Sequence, residues 1–253
     1  MGLIPGKGID KIAQILFHPT ASDLLIAVSN DNGSANIRFF DLATSSESLV
    51  TPLEASVFNV ALSPDGSRLA AATKDGKIIV MDPRDRSSAV AGKAHDSPRS
   101  FQITWLDATT LLSVGFSRGS QRRINLYRVD DNEITTSHSM LIDVSPSVLF
   151  PVYDPDTSIL YVWGKGERQI QAYEVHPDHA TEPIAKLPSF TAGAPQLGLA
   201  FFPKRAVDVK KVEVAKTLRL TGKTIEEVSF SIPRNKVCLF IRLILTTARL
   251  LPR

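Results

Sequence analysis

Residues 62–82 read LSPDGSRLAAATKDGKIIVMD, two short apolar runs each preceded by a turn. Ser63-Pro64-Asp65-Gly66 and Lys74-Asp75-Gly76-Lys77 combine the residue types that reverse a chain: proline, a short side-chain acceptor, and glycine where positive φ is wanted. The runs they bound, Arg68–Thr73 and Lys77–Asp82, are too short for helices and show no 3.6-residue spacing. The stretch therefore predicts antiparallel strands joined by tight turns.

The same device recurs along the chain. Phe17-His18-Pro19, Leu62-Ser63-Pro64, Trp105-Leu106-Asp107 and Tyr153-Asp154-Pro155 each follow an apolar run and precede a turn, at spacings of 45, 43 and 48 residues. After each comes a second apolar run, then a polar turn, then a third strand: Asn36–Asp41, Lys77–Asp82, Arg123–Arg128 and Gln169–Glu174. Every third strand ends in a large apolar residue followed by a polar one, which is the position of Trp-Asp in a WD repeat. A period of roughly 40 to 45 residues with four strands per unit is the signature of propeller blades. The fold class predicted is all-β, a WD40-type β-propeller with four-stranded antiparallel blades. None of these four units carries Trp-Asp itself, and only the third has a histidine, His95, where Gly-His is expected.

A fifth unit is weaker. Leu197–Phe202 reads as a buried strand, Val212–Leu220 as a strand with Val212, Val214, Leu218 and Leu220 inward, and Ile225–Ile232 as a strand with Val228, Phe230 and Ile232 on one face. Beyond Pro233 the pattern stops. Residues 237–253 are apolar and basic, and their Arg242, Arg249 and Arg253, with no acid, account for the whole formal excess of +3. Residues 1–236 are thus electrically balanced and hold no basic stripe with interleaved aromatics, which argues against a nucleic-acid partner.

At 43% hydrophobic and 22% charged the chain reads as a soluble globular protein. Its single cysteine, Cys238, cannot form an internal disulfide, and residues 1–8 lack the apolar stretch of a secretory signal, so a cytoplasmic location is expected. There the Asn32-Gly33-Ser34 sequon reads as a polar turn. The 17-residue tail, broken by two arginines, falls short of the about 20 apolar residues a membrane span needs.

Several segments resemble one family. Lys74-Asp75-Gly76-Lys77 through Asp82-Pro83-Arg84, Lys93-Ala94-His95, Gly115–Arg122, Asp154-Pro155-Asp156-Thr157 and Gly164-Lys165-Gly166 are similar to segments of coronins. The most specific are Gly198–Val209, which contains Phe202-Pro203-Lys204-Arg205, and Ser231-Ile232-Pro233-Arg234. The resemblance is collinear over residues 10–236. It implies a seven-bladed propeller of which about five blades are present, truncated at both ends, with residues 1–236 the propeller and the segment that follows it in coronins. Residues 237–253 then form an aberrant tail from a different frame or an unspliced intron, and no coiled coil for oligomerisation follows. The implied function is actin-filament binding in the cytoskeleton, alongside other actin regulators. The candidate contact residues are Lys204, Arg205, Arg118, Arg122, Arg123 and Lys165. The alternatives are a generic WD-repeat scaffold without actin binding, or a non-functional fragment.

Chemistry of other kinds is weakly signalled. Gly115-Phe116-Ser117-Arg118-Gly119 matches the G-x-S-x-G of a serine-hydrolase elbow, but that motif requires a helix after the serine and a strand is expected instead. His176-Pro177-Asp178-His179 beside Glu174 sits in a proline-broken loop rather than on one helix face, so no metal is expected. No Gly-rich run has phosphate-loop spacing, so no nucleotide or other cofactor is expected, and no catalytic residue is assigned.

Overall fold

The computed structural model describes residues 11–232 and the strand Ile244–Leu250. It divides between Pro146 and Ser147 into two compact units. The first unit holds three sheets, each a meander of four consecutive antiparallel strands. They are β1 to β4 (Ile12–Phe17, Leu24–Asp31, Ser34–Asp41, Ser46–Leu53), β5 to β8 (Val57–Leu62, Leu69–Thr73, Lys77–Asp82, Asp85–Lys93) and β9 to β12 (Gln102–Trp105, Thr110–Phe116, Gln121–Val129, Ile134–Val144). The second unit holds two more: β13 to β16 (Leu149–Asp154, Ile159–Gly164, Gln169–Val175, Ile184–Thr191) and β17 to β20 (Gly198–Phe201, Glu213–Leu220, Ile225–Ser231, Ile244–Leu250).

The turns are those the residues dictate. Asp31 pairs with Ser34 around a two-residue Asn32-Gly33 loop with both φ values positive, +43° and +95°, whose twist matches that of the flanking strands. The sequon is therefore a hairpin turn. In the second sheet the Ser63 hydroxyl donates to Asp65 at 2.6 Å and the Gly66 amide to the Ser63 carbonyl at 2.8 Å, closing the predicted Ser-Pro-Asp-Gly reversal.

Strand β6, Leu-Ala-Ala-Ala-Thr, is buried throughout because its sheet is packed on both faces. Leu69, Ala71 and Met81 join Ile26, Val28, Ile37 and Phe39 of the first sheet in one core. Ala70, Ala72, Ile78 and Val80 join Ile103, Trp105 and Tyr127 of the third sheet, and Phe101 just before it, in another. Neighbouring residues of one strand thus serve two cores, and alanine lets the sheets approach. Side-chain amides clip the sheets together. Gln14 donates to the Val60 carbonyl and accepts from its amide at 2.9 and 2.8 Å, and Asn59 does the same with Ile103 at 3.2 and 3.1 Å. Each clip satisfies a backbone donor and acceptor on the free edge of the sheet's first strand.

Two expectations are corrected in the fifth sheet. The buried residues of β18 are Glu213, Ala215, Thr217 and Arg219; of those expected inward, Val214 is half-buried against the core of this unit, Leu218 is half-buried, and Leu220 is 45% exposed. Val212 does not belong to the strand: it stands at φ +58° after the short 3₁₀ turn Val209–Lys211 and takes no part in the alternation. On β19, Val228 and Phe230 are wholly buried as expected. The strand pattern also resumes after Pro233, since β20 pairs antiparallel with β19 from Ser231↔Ile244 to Glu226↔Leu250. Without that pairing the amides and carbonyls on the outer edge of β19 would lack a ladder partner. The expectations placed on residues 1–10, 233–243 and 251–253 lie outside the described residues.

Candidate interaction surface

In the third sheet, β10 and β11 are joined by the 3₁₀ turn Arg118–Ser120, and three of the candidate cations lie here, Arg118 in the turn and Arg122 and Arg123 at the start of β11. Arg118 is exposed. Arg123 is half-buried, its Nε donating to the Ser139 hydroxyl at 2.9 Å. The Arg122 side chain is 4% exposed and its guanidinium forks onto the Asp143 carboxylate, with both contacts at 2.5 Å. That bidentate pair ties β11 to β12 and turns Arg122 inward. Sequence reading passed over Arg99, which braces the same turn: its guanidinium lies 3.9 Å from the centre of the Phe116 ring and donates to the Ser120 hydroxyl at 2.9 Å.

Behind the turn lies a buried polar cluster. His95 Nε2 is 2.7 Å from the Ser113 hydroxyl, which is 3.0 Å from the Tyr127 hydroxyl, and Tyr127 donates to the Ala94 carbonyl at 3.1 Å. His95, Ser113 and Tyr127 sit respectively before the sheet, on its second strand and at the Trp-Asp position, so the histidine and third-strand signals read from the sequence meet here. Burial pushes the His95 imidazole from 6.5 down to about 4, with the charge of Arg123 adding to the shift and that of Asp96 opposing it. The imidazole is therefore neutral at physiological pH.

This cluster also explains the glycine motif. A Cβ on Gly115 would stand 2.6 Å from the His95 ring and from the Phe101 Cβ, so the residue is small because the histidine packs on it. After Ser117 the chain makes one 3₁₀ turn and enters β11, and the Ser117 hydroxyl donates to the Gln121 side chain at 3.2 Å. The strand–turn–helix of a nucleophile elbow is not formed.

In the second unit Lys204 and Arg205 occupy a 3₁₀ turn, Lys204–Ala206, that leaves Pro203 after β17. Lys204 is half-exposed and ion-pairs with the buried Asp154 carboxylate, its ammonium also donating to the Val214 carbonyl at 2.7 Å. Lys204 thus ties the loop to the β13–β14 end of the neighbouring sheet. Arg205 is exposed beside it. Lys165 is exposed in the β14–β15 turn. Asp154 pairs with Ile159 at one end of β14 and Leu149 with Gly164 at the other, so Lys165 and Lys204 stand at opposite ends of that strand, roughly 17 Å apart along it. His176 pairs with Glu174 at 2.9 Å, and His179 accepts from the Glu182 amide at 3.1 Å. Among the described residues no helix is long and apolar enough to cross a membrane.

No family model matches the chain. Among curated proteins, coronin-7 of Rattus norvegicus is 36% identical over 228 residues, which cover 89% of this chain and 24% of that protein. The coronin-like protein of Saccharomyces cerevisiae is 30% identical over 229 residues, covering 88% of this chain and 34% of that protein. The chain therefore spans about a quarter to a third of the length of these relatives. The solved WD40 domain of Toxoplasma gondii coronin superposes with a TM-score of 0.79 at 24% identity, over 91% of this chain and 58% of that one. Over the aligned residues, the chain is a coronin-like WD-repeat β-propeller made of four-stranded antiparallel blades.

Proposed function

We propose that the chain acts as an actin-filament-binding interaction module of the cytoplasmic cytoskeleton, without catalytic activity. The observation that carries this reading is the similarity to coronins across 228 residues. It is supported by the exposed cation Arg205 on the turn after β17, where an acidic filament surface can reach it. Residues 1–236 are taken as the coronin-like part and 237–253 as an addition to it.

Lys204 is a poor probe of this surface. Reversing its charge would set a second carboxylate against buried Asp154 and disturb the fold. Arg205 is the clean probe. Co-sedimentation with actin filaments should show binding at low salt that falls steeply as salt rises. Arg205→Glu should weaken it more than Arg84→Glu, an equal charge change on the exposed β7–β8 turn. If the two variants sediment alike, the Arg205 surface is not the contact. If the parent chain ignores filaments even at low salt, the scaffold reading without actin binding replaces this one.

A further inference from the structure

The strongest feature beyond the candidate set, which it touches only at Arg118, is a groove in the first unit, ≈ 760 Å³ in volume, between the second and third sheets. One wall is the β6–β7 turn with Lys74 and Lys77, together with Lys93 at the end of β8, and the other is the loop 95–98 with Arg118 above it. All four cations are exposed. Two acids share the groove: Asp75 pairs with Lys77 at 3.1 Å and Asp96 with Lys93 at 2.5 Å, while the charge of Arg118 also helps to hold the Asp96 carboxyl below its ordinary value after the Lys93 contact. Four positive charges against two negative ones leave an excess of two.

The groove is preformed. Lys74 is held by its amide on the Ser56 carbonyl at 2.8 Å, the Lys77 amide donates to the Thr73 hydroxyl at 3.2 Å, and the Ala94 amide donates to the Gly76 carbonyl at 3.0 Å. A rigid cationic wall needs little ordering when a partner arrives. The cations come from three separate segments, the β6–β7 turn, the end of β8 and the Arg118 turn, so they match a chain of carboxylates better than a single anion. The aromatic ring that lines it, His95, is 6% exposed and offers no stacking platform for bases. Strand β8, which lines one side, is an edge strand of its sheet and so has a backbone edge that an extended peptide can lie along.

We infer that this groove is a docking site for an extended acidic segment of a protein partner, with Lys74, Lys77, Lys93 and Arg118 as its carboxylate contacts. Asp75 and Asp96 act as internal stand-ins for the ligand's carboxylates, which displace them from Lys77 and Lys93. The inference is independent of filament binding, and its test contains no actin.

The test titrates the full chain into a fluorescein-labelled decamer of glutamate, read by anisotropy at about 50 mM salt, where exposed charges are only moderately screened. A glutamine decamer and a single-stranded RNA decamer serve as the other two probes. The glutamate peptide should bind and the glutamine peptide should not. Lys74→Glu with Arg118→Glu should weaken binding about tenfold or more, while Arg84→Glu with Arg86→Glu, the same net change elsewhere, should alter it less than about twofold. Asp96→Asn, which frees Lys93, should tighten it. Unchanged melting temperatures would show that the variants fold. Equal losses in both charge-reversed pairs, absence of peptide binding by the parent, or tighter binding of the RNA through the same cations would each overturn the proposal.

Discussion

His95 carries a titration that folding has to suppress. Its ring is buried against Gly115, Phe101 and the Ser113 hydroxyl, and burial holds its pKa at about 4 rather than 6.5. Between those two values the unfolded chain binds a proton that the folded chain refuses, so acidification through that window favours unfolding. Well above pH 6.5 both states are neutral there and the residue contributes no pH dependence. From these values the loss by pH 5 is about 2 kcal/mol. Denaturant midpoints of the parent and of His95→Gln at pH 7.5 and 5.0 check this: the parent should lose markedly more on acidification than the variant, and equal losses would show that His95 is not the sensitive group.

Among the elements, the β18–β19 hairpin shows where the sequence could be read and where it misled. The turn Thr221-Gly222-Lys223-Thr224 sets Leu220 against Ile225 and Arg219 against Glu226, and the buried guanidinium donates to Glu226 at 2.5 Å, to Gln196 at 3.3 Å and to the Ala194 carbonyl. Removing one partner of such a pair strands the other, so Arg219→Met should cost about 3 kcal/mol, whereas Arg219→Met with Glu226→Gln should cost less than the single change. An additive double variant in a thermal or urea melt would refute the coupling. Reading the alternating Val212, Val214, Leu218 and Leu220 as inward placed this arginine outside. The hairpin register holds the contrary signal, a cation facing an acid across the turn. The four earlier repeats were legible because their turns and third strands repeat the same residue types in order. Their Trp-Asp positions are filled by buried Phe40, Met81, Tyr127 and Tyr173, as the spacing implied. The cationic groove was not legible, since Lys74, Lys93 and Arg118 lie in three separate segments that only the packing of two sheets brings to one surface.

At the scale of the whole molecule, solution behaviour follows from what the first sheet leaves uncovered. Among the described residues strand β1 is an edge strand, and it shows Ile12, Ile15 and Phe17 to solvent at 48, 56 and 67% exposure. Large apolar side chains beside an open backbone edge invite pairing with another chain, and a small formal charge of +3 provides weak repulsion against it. The chain should therefore self-associate reversibly as its concentration rises. Light scattering after size-exclusion chromatography should show a mass that climbs with loading. Ile15→Lys combined with Phe17→Glu places opposite charges at the exposed positions without changing net charge, so a loss of association there reflects lost apolar contact rather than added repulsion. Because both side chains are already more exposed than buried, the substitution should leave the melting temperature nearly unchanged. A parent chain that stays monomeric at high concentration, or a variant that associates as the parent does, would show that this strand is not the adhesive surface.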